Sequence, residues 1–114
     1  VRLKGFFWER VSGLYLFLKG YRILKFNYRT RYGEIDIICK HKETIVFVEV
    51  KYRKSDEFGR AEEFVTKKKA ERILKTARKY IAENRWKGYY RFDVIAINGF
   101  KIKHIKNAFG GDWI

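Results

Sequence analysis

"GEIDIICKHKETIVFVEVKYRK", Gly33 to Lys54, is the stretch whose reading decides the fold. Two runs rich in Ile, Val and Phe flank a polar turn around His41–Lys42, the pattern of a β-hairpin. In the second run, Ile45–Val50 is β-branched or aromatic at every position except Glu49, and Lys51 follows two residues later. Strand side chains alternate with period two, so Glu49 and Lys51 share a face. A charge in such a run is costly unless it is paired, hydrated or bound to a metal. A two- or four-residue loop closes Lys40 or Cys39 against Glu43 or Thr44. Either loop puts Asp36 opposite Phe47, with Glu49 as its diagonal neighbour about 7–8 Å away. Asp36, Glu49 and Lys51 then converge near one end of one sheet face. A three- or five-residue loop breaks that parity unless a bulge restores it.

Working outward, Phe7, Val11, Leu14, Tyr15 and Leu18 recur at helical spacing before Gly20, which predicts a helix over 6–19. Leu16 and Phe17 fall off that stripe, so contact on more than one side is expected. Glu9, by itself, reads as an acid near a helix N-terminus. Tyr21–Tyr28 alternates as a strand, a basic turn holding Arg31 closes at Gly33, and strands follow over 34–40 and 44–52. A polar loop with a helical turn at Ala61–Phe64 leads to Thr66, the expected N-cap of a helix running to Glu83. Its apolar stripe is Ala70, Ile73, Leu74, Ala77, Tyr80 and Ile81. Arg91–Ile97 and Phe100–Phe109 make a last strand pair around the Asn98–Gly99 hairpin signal. Asp93 interrupts the first of these, and a structural salt bridge explains it as well as function does. The tail "GGDWI" lacks phosphate-loop spacing.

The composition bounds the function. At 114 residues, 46% hydrophobic and 18% aromatic, residues 1–114 read as one domain with its own core. Lys and Arg number 27 against 13 Asp and Glu, a net +14 that favours a polyanionic partner, nucleic acid above all. Lys68, Arg72, Lys75 and Lys79 line one helix face, where phosphate contact weighs nearly as much as simple solvation. The single Cys39 excludes an internal disulfide, and His41 and His104 offer no zinc spacing. The apolar run 11–18 is too short to span a bilayer, so a cytoplasmic protein without membrane association is expected. No Ser/His/Asp or Cys/His pattern provides for acyl transfer.

Two carboxylates followed by a lysine suit phosphodiester hydrolysis with a divalent metal. Asp36 and Glu49 supply the hard oxygens that Mg²⁺ or Mn²⁺ requires. Lys51 could orient or deprotonate the attacking water, or neutralise charge on the phosphorus. By spacing alone, a structural Glu49–Lys51 or Asp36–Lys51 ion pair is an equal reading, and the positive charge of the chain tips the balance toward phosphate chemistry.

"GEIDIIC", "VFVEVKYR" and "RFDVIAI…HIKNAF" resemble the YraN-like family of small bacterial proteins over residues 9–109. Its members look like a minimal PD-(D/E)XK nuclease domain, close in outline to archaeal Holliday-junction resolvases. The resemblance implies an α/β, restriction-endonuclease-like αβββαβ core with a mixed sheet flanked by helices. It also implies that Asp36, Glu49 and Lys51 stand at the active-site positions. Glu9 precedes Ser12-Gly13 and Tyr15-Leu16 in the family's register, making it a fourth site residue, a metal ligand through water or a positioner of Lys51. Trp8 stands where the family usually has glycine. "VTKKKAERI" resembles the family's T-x-x-K helix start, pointing to Thr66 and Lys69 on the substrate side. The implied activity is a Mg²⁺- or Mn²⁺-dependent endonuclease acting on structured or branched DNA. Arg31, Arg53, Lys54, Thr66, Lys68, Lys69, Arg72 and Lys75 are the candidate nucleic-acid contacts. The alternative is a non-catalytic nucleic-acid-binding accessory protein with a vestigial site. Resolvase-like folds often act as symmetric dimers, so a homodimer is among the expectations.

Overall fold

The elements run α1 (Leu3–Leu18), β1 (Arg22–Thr30), β2 (Gly33–His41), β3 (Thr44–Arg53), α2 (Lys67–Glu83), β4 (Tyr89–Asn98) and β5 (Lys101–Phe109). They are taken from a computed structural model that describes residues 3–54 and 66–109. The turn expected at Ala61–Phe64 and the tail 110–114 lie outside the described residues. The strands form one sheet in the order β1-β2-β3-β4-β5. All neighbours are antiparallel except β3 and β4, which are parallel. A parallel pair needs a crossover, and α2 stands between them in sequence to provide it. The described residues make an α/β fold with a five-stranded mixed sheet and two helices.

Alternation along β3 fills both faces of the sheet, which is why its sequence is nearly continuous in apolar residues. Ile45 and Phe47 pack with Ile38, Phe92 and Val94 against Ala70, Ile73, Leu74 and Ala77 of α2. Val46 and Val48 pack with Ile37, Cys39, Ile95 and Ile97 against Leu16 of α1. Burial pushes the Cys39 thiol up to about 12, and its Sγ donates to the Val46 carbonyl at 3.6 Å, so it behaves as a small core residue. Thr66 caps α2 as expected, its hydroxyl accepting from the Lys69 amide at 3.1 Å. Gly99 takes the left-handed turn conformation at φ 65°.

Three expectations are corrected. First, the helix-1 stripe is rotated: Phe7, Leu14 and Leu18 are exposed, whereas Glu9, Ser12, Gly13 and Leu16 face inward. Ten of the sixteen residues of α1 are apolar and they lie on several sides of it, so hydrophobic periodicity could not choose the buried side. Close approach chose it. A Cβ on Gly13 would stand 2.6 Å from Cζ of Phe26, so the small pair Ser12-Gly13 is what lets the helix lie on β1. Second, the β2–β3 register differs by two residues. His41 pairs with Thr44 across Lys42–Glu43, and Phe47 faces Ile38 rather than Asp36. Lys42 turns the chain at φ 56°, and this register sets apolar residues opposite one another. A shift of two keeps parity, so the faces come out as expected. Third, β1 runs through Arg29 and Thr30, leaving only Arg31–Tyr32 as the turn, and it carries a bulge between Ile23 and Lys25.

Candidate functional site

The site forms where the β2–β3 ladder ends. The last pair on that side is Ile37 with Val48, which brings Asp36 level with Glu49. There the strands no longer exchange backbone hydrogen bonds in register, and the Val50 amide donates instead to Asp36 Oδ2 at 2.8 Å. The neighbouring strand is also irregular: Asn27 adopts φ 53°, a conformation that asparagine tolerates far better than a β-branched residue. Its Nδ2 reaches Glu9 Oε1 at 2.8 Å and Glu34 Oε2 at 2.9 Å. One amide thus holds a carboxylate from α1 and one from β2 on either side of it.

Four carboxylates from three elements therefore gather: Glu9, Glu34, Asp36 and Glu49. Glu9, Asp36 and Glu49 are buried, and their proximity has a price in charge repulsion. Burial raises the Glu49 carboxyl well above its usual range, and neighbouring Asp36 raises it further, with Lys69 and Lys51 opposing. Burial likewise raises Glu9; the Asn27 hydrogen bond opposes that, while Asp36 and Glu34 reinforce it. Glu49 is only 2% exposed, yet its Oε1 has no hydrogen-bond partner. A buried carboxylate oxygen in that state is normally satisfied by something.

Glu34, Asp36 and Glu49 open into a cavity of about 530 Å³ between the sheet and the start of α2, whereas the expected site residues Glu9 and Lys51 do not line it. Asp36, Glu49 and Glu34 form one wall, and Lys68, Lys69 and Arg72 form part of the other. Lys69 Nζ lies 3.6 Å from Glu49 Oε2. Lys51 shares the Glu49 face of β3. Burial and the nearby Lys69 pull its ammonium down to about 8, against the opposing pull of Glu49 and Asp36.

The candidate contacts expected from the sequence separate into three places. Thr66, Lys68, Lys69 and Arg72 line the carboxylate cavity. Arg31 and Lys75 line a neighbouring cavity with Tyr32, Arg78 and Lys79. Arg53 and Lys54 are exposed and line neither; the Arg53 carbonyl accepts from the Gly99 amide at 2.7 Å, tying that strand end to the β4–β5 turn. Glu9 sits well inside α1, so an interaction with the helix N-terminus does not account for it. Trp8, beside it, stacks on Tyr52 at 4.5 Å. The reading from sequence passed over Asn27 and Glu34. A lone asparagine inside an alternating strand was the available signal, because asparagine is depleted in strands and at home in the left-handed region.

Although four carboxylates share this region, no three His, Cys, Asp or Glu side chains of the described residues are placed to hold one metal ion together as they stand. Asp36 and Glu49 are two hard-oxygen donors, one with an unsatisfied oxygen. That suits Mg²⁺, which takes one or two carboxylates and keeps the remaining positions for water and phosphate.

The model of a family described as "Uncharacterised protein family UPF0102" matches residues 8–97. The chain belongs to the UPF0102 family. The YraN-like resemblance read from the sequence is to this same family. A UPF0102 protein of Sulfurihydrogenibium sp. is 50% identical over 107 residues, covering 93% of each chain. One from Vibrio parahaemolyticus is 49% identical over 105 residues, covering 89% of this chain and 87% of its own. One from Thermodesulfovibrio yellowstonii is 50% identical over 101 residues, covering 89% and 90%. The family match spans Glu9, Asn27, Glu34, Asp36, Glu49 and Lys51 together. Among the described residues, no helix is long and apolar enough to cross a membrane.

Proposed function

We propose that this protein is a metal-dependent endonuclease that hydrolyses phosphodiester bonds of structured or branched DNA, with a minimal PD-(D/E)XK site. The observation that carries the proposal is Glu49: a buried carboxylate, raised by burial and by Asp36, with one oxygen unpaired, facing a cavity rimmed by Lys68, Lys69 and Arg72. An acidic pit inside a cationic rim on a +14 chain fits a phosphodiester together with a divalent cation. Asp36 and Glu49 would hold Mg²⁺ or Mn²⁺, with Glu9 acting through water. When bound, the cation supplies Lewis-acid polarisation of the phosphate and a more acidic water. The Val50 amide fixes the Asp36 carboxylate, and Asn27 fixes Glu9. Lys51 orients the attacking water and offsets charge that builds on the phosphate oxygens. Lys68 and Arg72 hold the flanking phosphates. Purified protein with Mg²⁺ or Mn²⁺ should nick branched DNA, and Asp36→Asn should abolish nicking while binding survives. Metal-independent nicking, or an equally active Asp36→Asn protein, overturns the proposal.

A second reading has its own observation. Lys69 already stands 3.6 Å from Glu49, so a cation of the chain itself answers part of the negative charge. On that reading the protein binds nucleic acid without cutting it, and the cluster is vestigial. Calorimetric titration with Mn²⁺ separates the two: the endonuclease takes up metal and Glu49→Gln does not, whereas the accessory protein shows background heats in both.

A further inference from the structure

A second basic surface feature lies outside the carboxylate cavity. A recess of about 690 Å³ is lined by Arg31 and Tyr32 from the β1–β2 turn and by Lys75, Arg78 and Lys79 from α2. It adjoins the carboxylate cavity directly. Gly33 and Arg72 line the first cavity, while Tyr32, the residue before Gly33, and Lys75, three residues beyond Arg72, line the second. The step along α2 is about 5 Å, less than one turn. The carboxylate cavity is therefore continued by a second, cationic recess, in which Tyr32 is the aromatic lining residue among the described residues.

A single exposed aromatic is ordinary; Tyr32 differs in how firmly it is held. Its hydroxyl accepts from Arg31 Nη2 at 3.0 Å, and the Arg31 guanidinium lies 5.0 Å from its ring. Its amide donates to Thr30 Oγ1 at 3.1 Å. Thr30 Oγ1 lies 3.2 Å from Thr76 Oγ1, which donates to the Arg72 carbonyl at 2.9 Å. The turn backbone is thereby pinned to α2, and Tyr32 itself remains 37% exposed. The Arg31 hydrogen bond and charge, with smaller help from Lys75 and Lys79, hold the Tyr32 hydroxyl below its ordinary range. A fixed ring among cations is the combination that binds unpaired nucleotides: cations hold the backbone, and the ring stacks a base of any sequence. Holding the ring in place beforehand lowers the ordering cost of binding.

We infer that Tyr32 is a stacking platform for an unpaired nucleotide next to the carboxylate cavity, with Arg31, Lys75, Arg78 and Lys79 gripping its phosphates. The protein therefore favours nucleic acid with a single-stranded segment beside the scissile position over blunt duplex. The inference rests on the nucleic-acid-binding part of the function proposed above and not on catalysis.

The test is fluorescence anisotropy in EDTA, where no cutting occurs, with a blunt duplex and the same duplex carrying a single-stranded tail. Wild type should bind the tailed duplex more tightly. Tyr32→Ala should weaken tailed-duplex binding by roughly 5- to 150-fold, the range of one lost base stack. Blunt-duplex binding should fall far less than tailed-duplex binding, and Tyr32→Phe should keep the tail preference. Lys75→Ala should weaken binding to both and flatten the salt dependence. A ribonucleotide tail with the same Tyr32 dependence supports the inference equally, since stacking does not read the sugar. Unchanged tail binding in Tyr32→Ala, or equal losses on both duplexes with circular dichroism intact, overturns it. If wild type binds neither duplex at low salt, the nucleic-acid reading itself falls, a result distinct from a failure of Tyr32 alone.

Discussion

Two buried carboxylates in the same sheet, Asp93 and Glu49, have opposite fates. Asp93 is fully buried, and every approach to it is filled: Arg91 Nε at 3.0 Å, His104 Nε2 at 2.7 Å and the Asn107 amide at 2.9 Å. Burial alone would push its carboxyl up, but the hydrogen bonds from His104, Arg91 and Asn107 outweigh burial and hold it below the usual carboxylate range. Arg91 in turn donates to the Tyr21 hydroxyl at 2.7 Å, and Tyr21 stacks on His41, which closes the cluster. Glu49 is just as deep and has a like charge in Asp36 for a neighbour, an unpaired oxygen and a raised carboxyl. A carboxylate held down by matched donors is part of the scaffold. One held up by burial and by another carboxylate stores unfavourable charge that a cation can relieve, and the proposed chemistry rests on this contrast.

The largest effect that could break the contrast is on activity. Asp36→Asn and Glu49→Gln should each lower nicking of branched DNA by about 100-fold or more, with the far-ultraviolet spectrum intact. Asp93→Ala should instead lose stability, by about 3–5 kcal/mol, because it leaves Arg91 and His104 without their buried partner. Urea unfolding measures this. A stable Asp93→Ala protein would remove the distinction drawn between the clusters.

Metal should sharpen the contrast next. Saturating Mn²⁺ at 100 times its Kd should stabilise the wild type by about 2.7 kcal/mol, and Glu49→Gln should show no such gain. Thermal unfolding with and without EDTA reads this, and equal gains in the two proteins would place the metal elsewhere.

The smallest effect is in the pH profile. Because Glu49 and Glu9 have folded-state values above the ordinary 4.5, the native state binds the extra protons, and stability should fall as pH climbs from 4.5 through the raised values. Glu49→Gln should flatten most of that fall. Asp93 has the opposite sign: depressed below 3.8, it contributes stability above that pH and loses it as pH drops through its folded value. Lys51, lowered from 10.5 to about 8, should add stability between those two values as pH rises. Chemical denaturation across pH separates the three, and a wild-type profile that rises from pH 4.5 to 7 would contradict the raised carboxyls.

Some of this was decided by sequence alone. The α2 stripe, the Thr66 cap and the strands follow from local rules of periodicity and capping, and all are present, whereas the Asn98–Gly99 hairpin signal is realised one residue on: Asn98 pairs with Lys101 across Gly99–Phe100, with Gly99 at φ 65°. The common face of Asp36, Glu49 and Lys51 followed from period two, and it survived a two-residue error in register because parity has no other choice. The tertiary structure decided the rest. Which side of α1 is buried depended on Gly13 meeting Phe26, a contact between residues in different elements, in a helix whose Glu9 and Ser12 lie on the buried side. The pairing of Glu9 and Glu34 through Asn27, and the reach of Lys69 to Glu49, join residues far apart in the chain or on separate elements. Local sequence fixes which way a side chain points from its own strand or helix; which distant charge it meets is set only when the helices pack on the sheet.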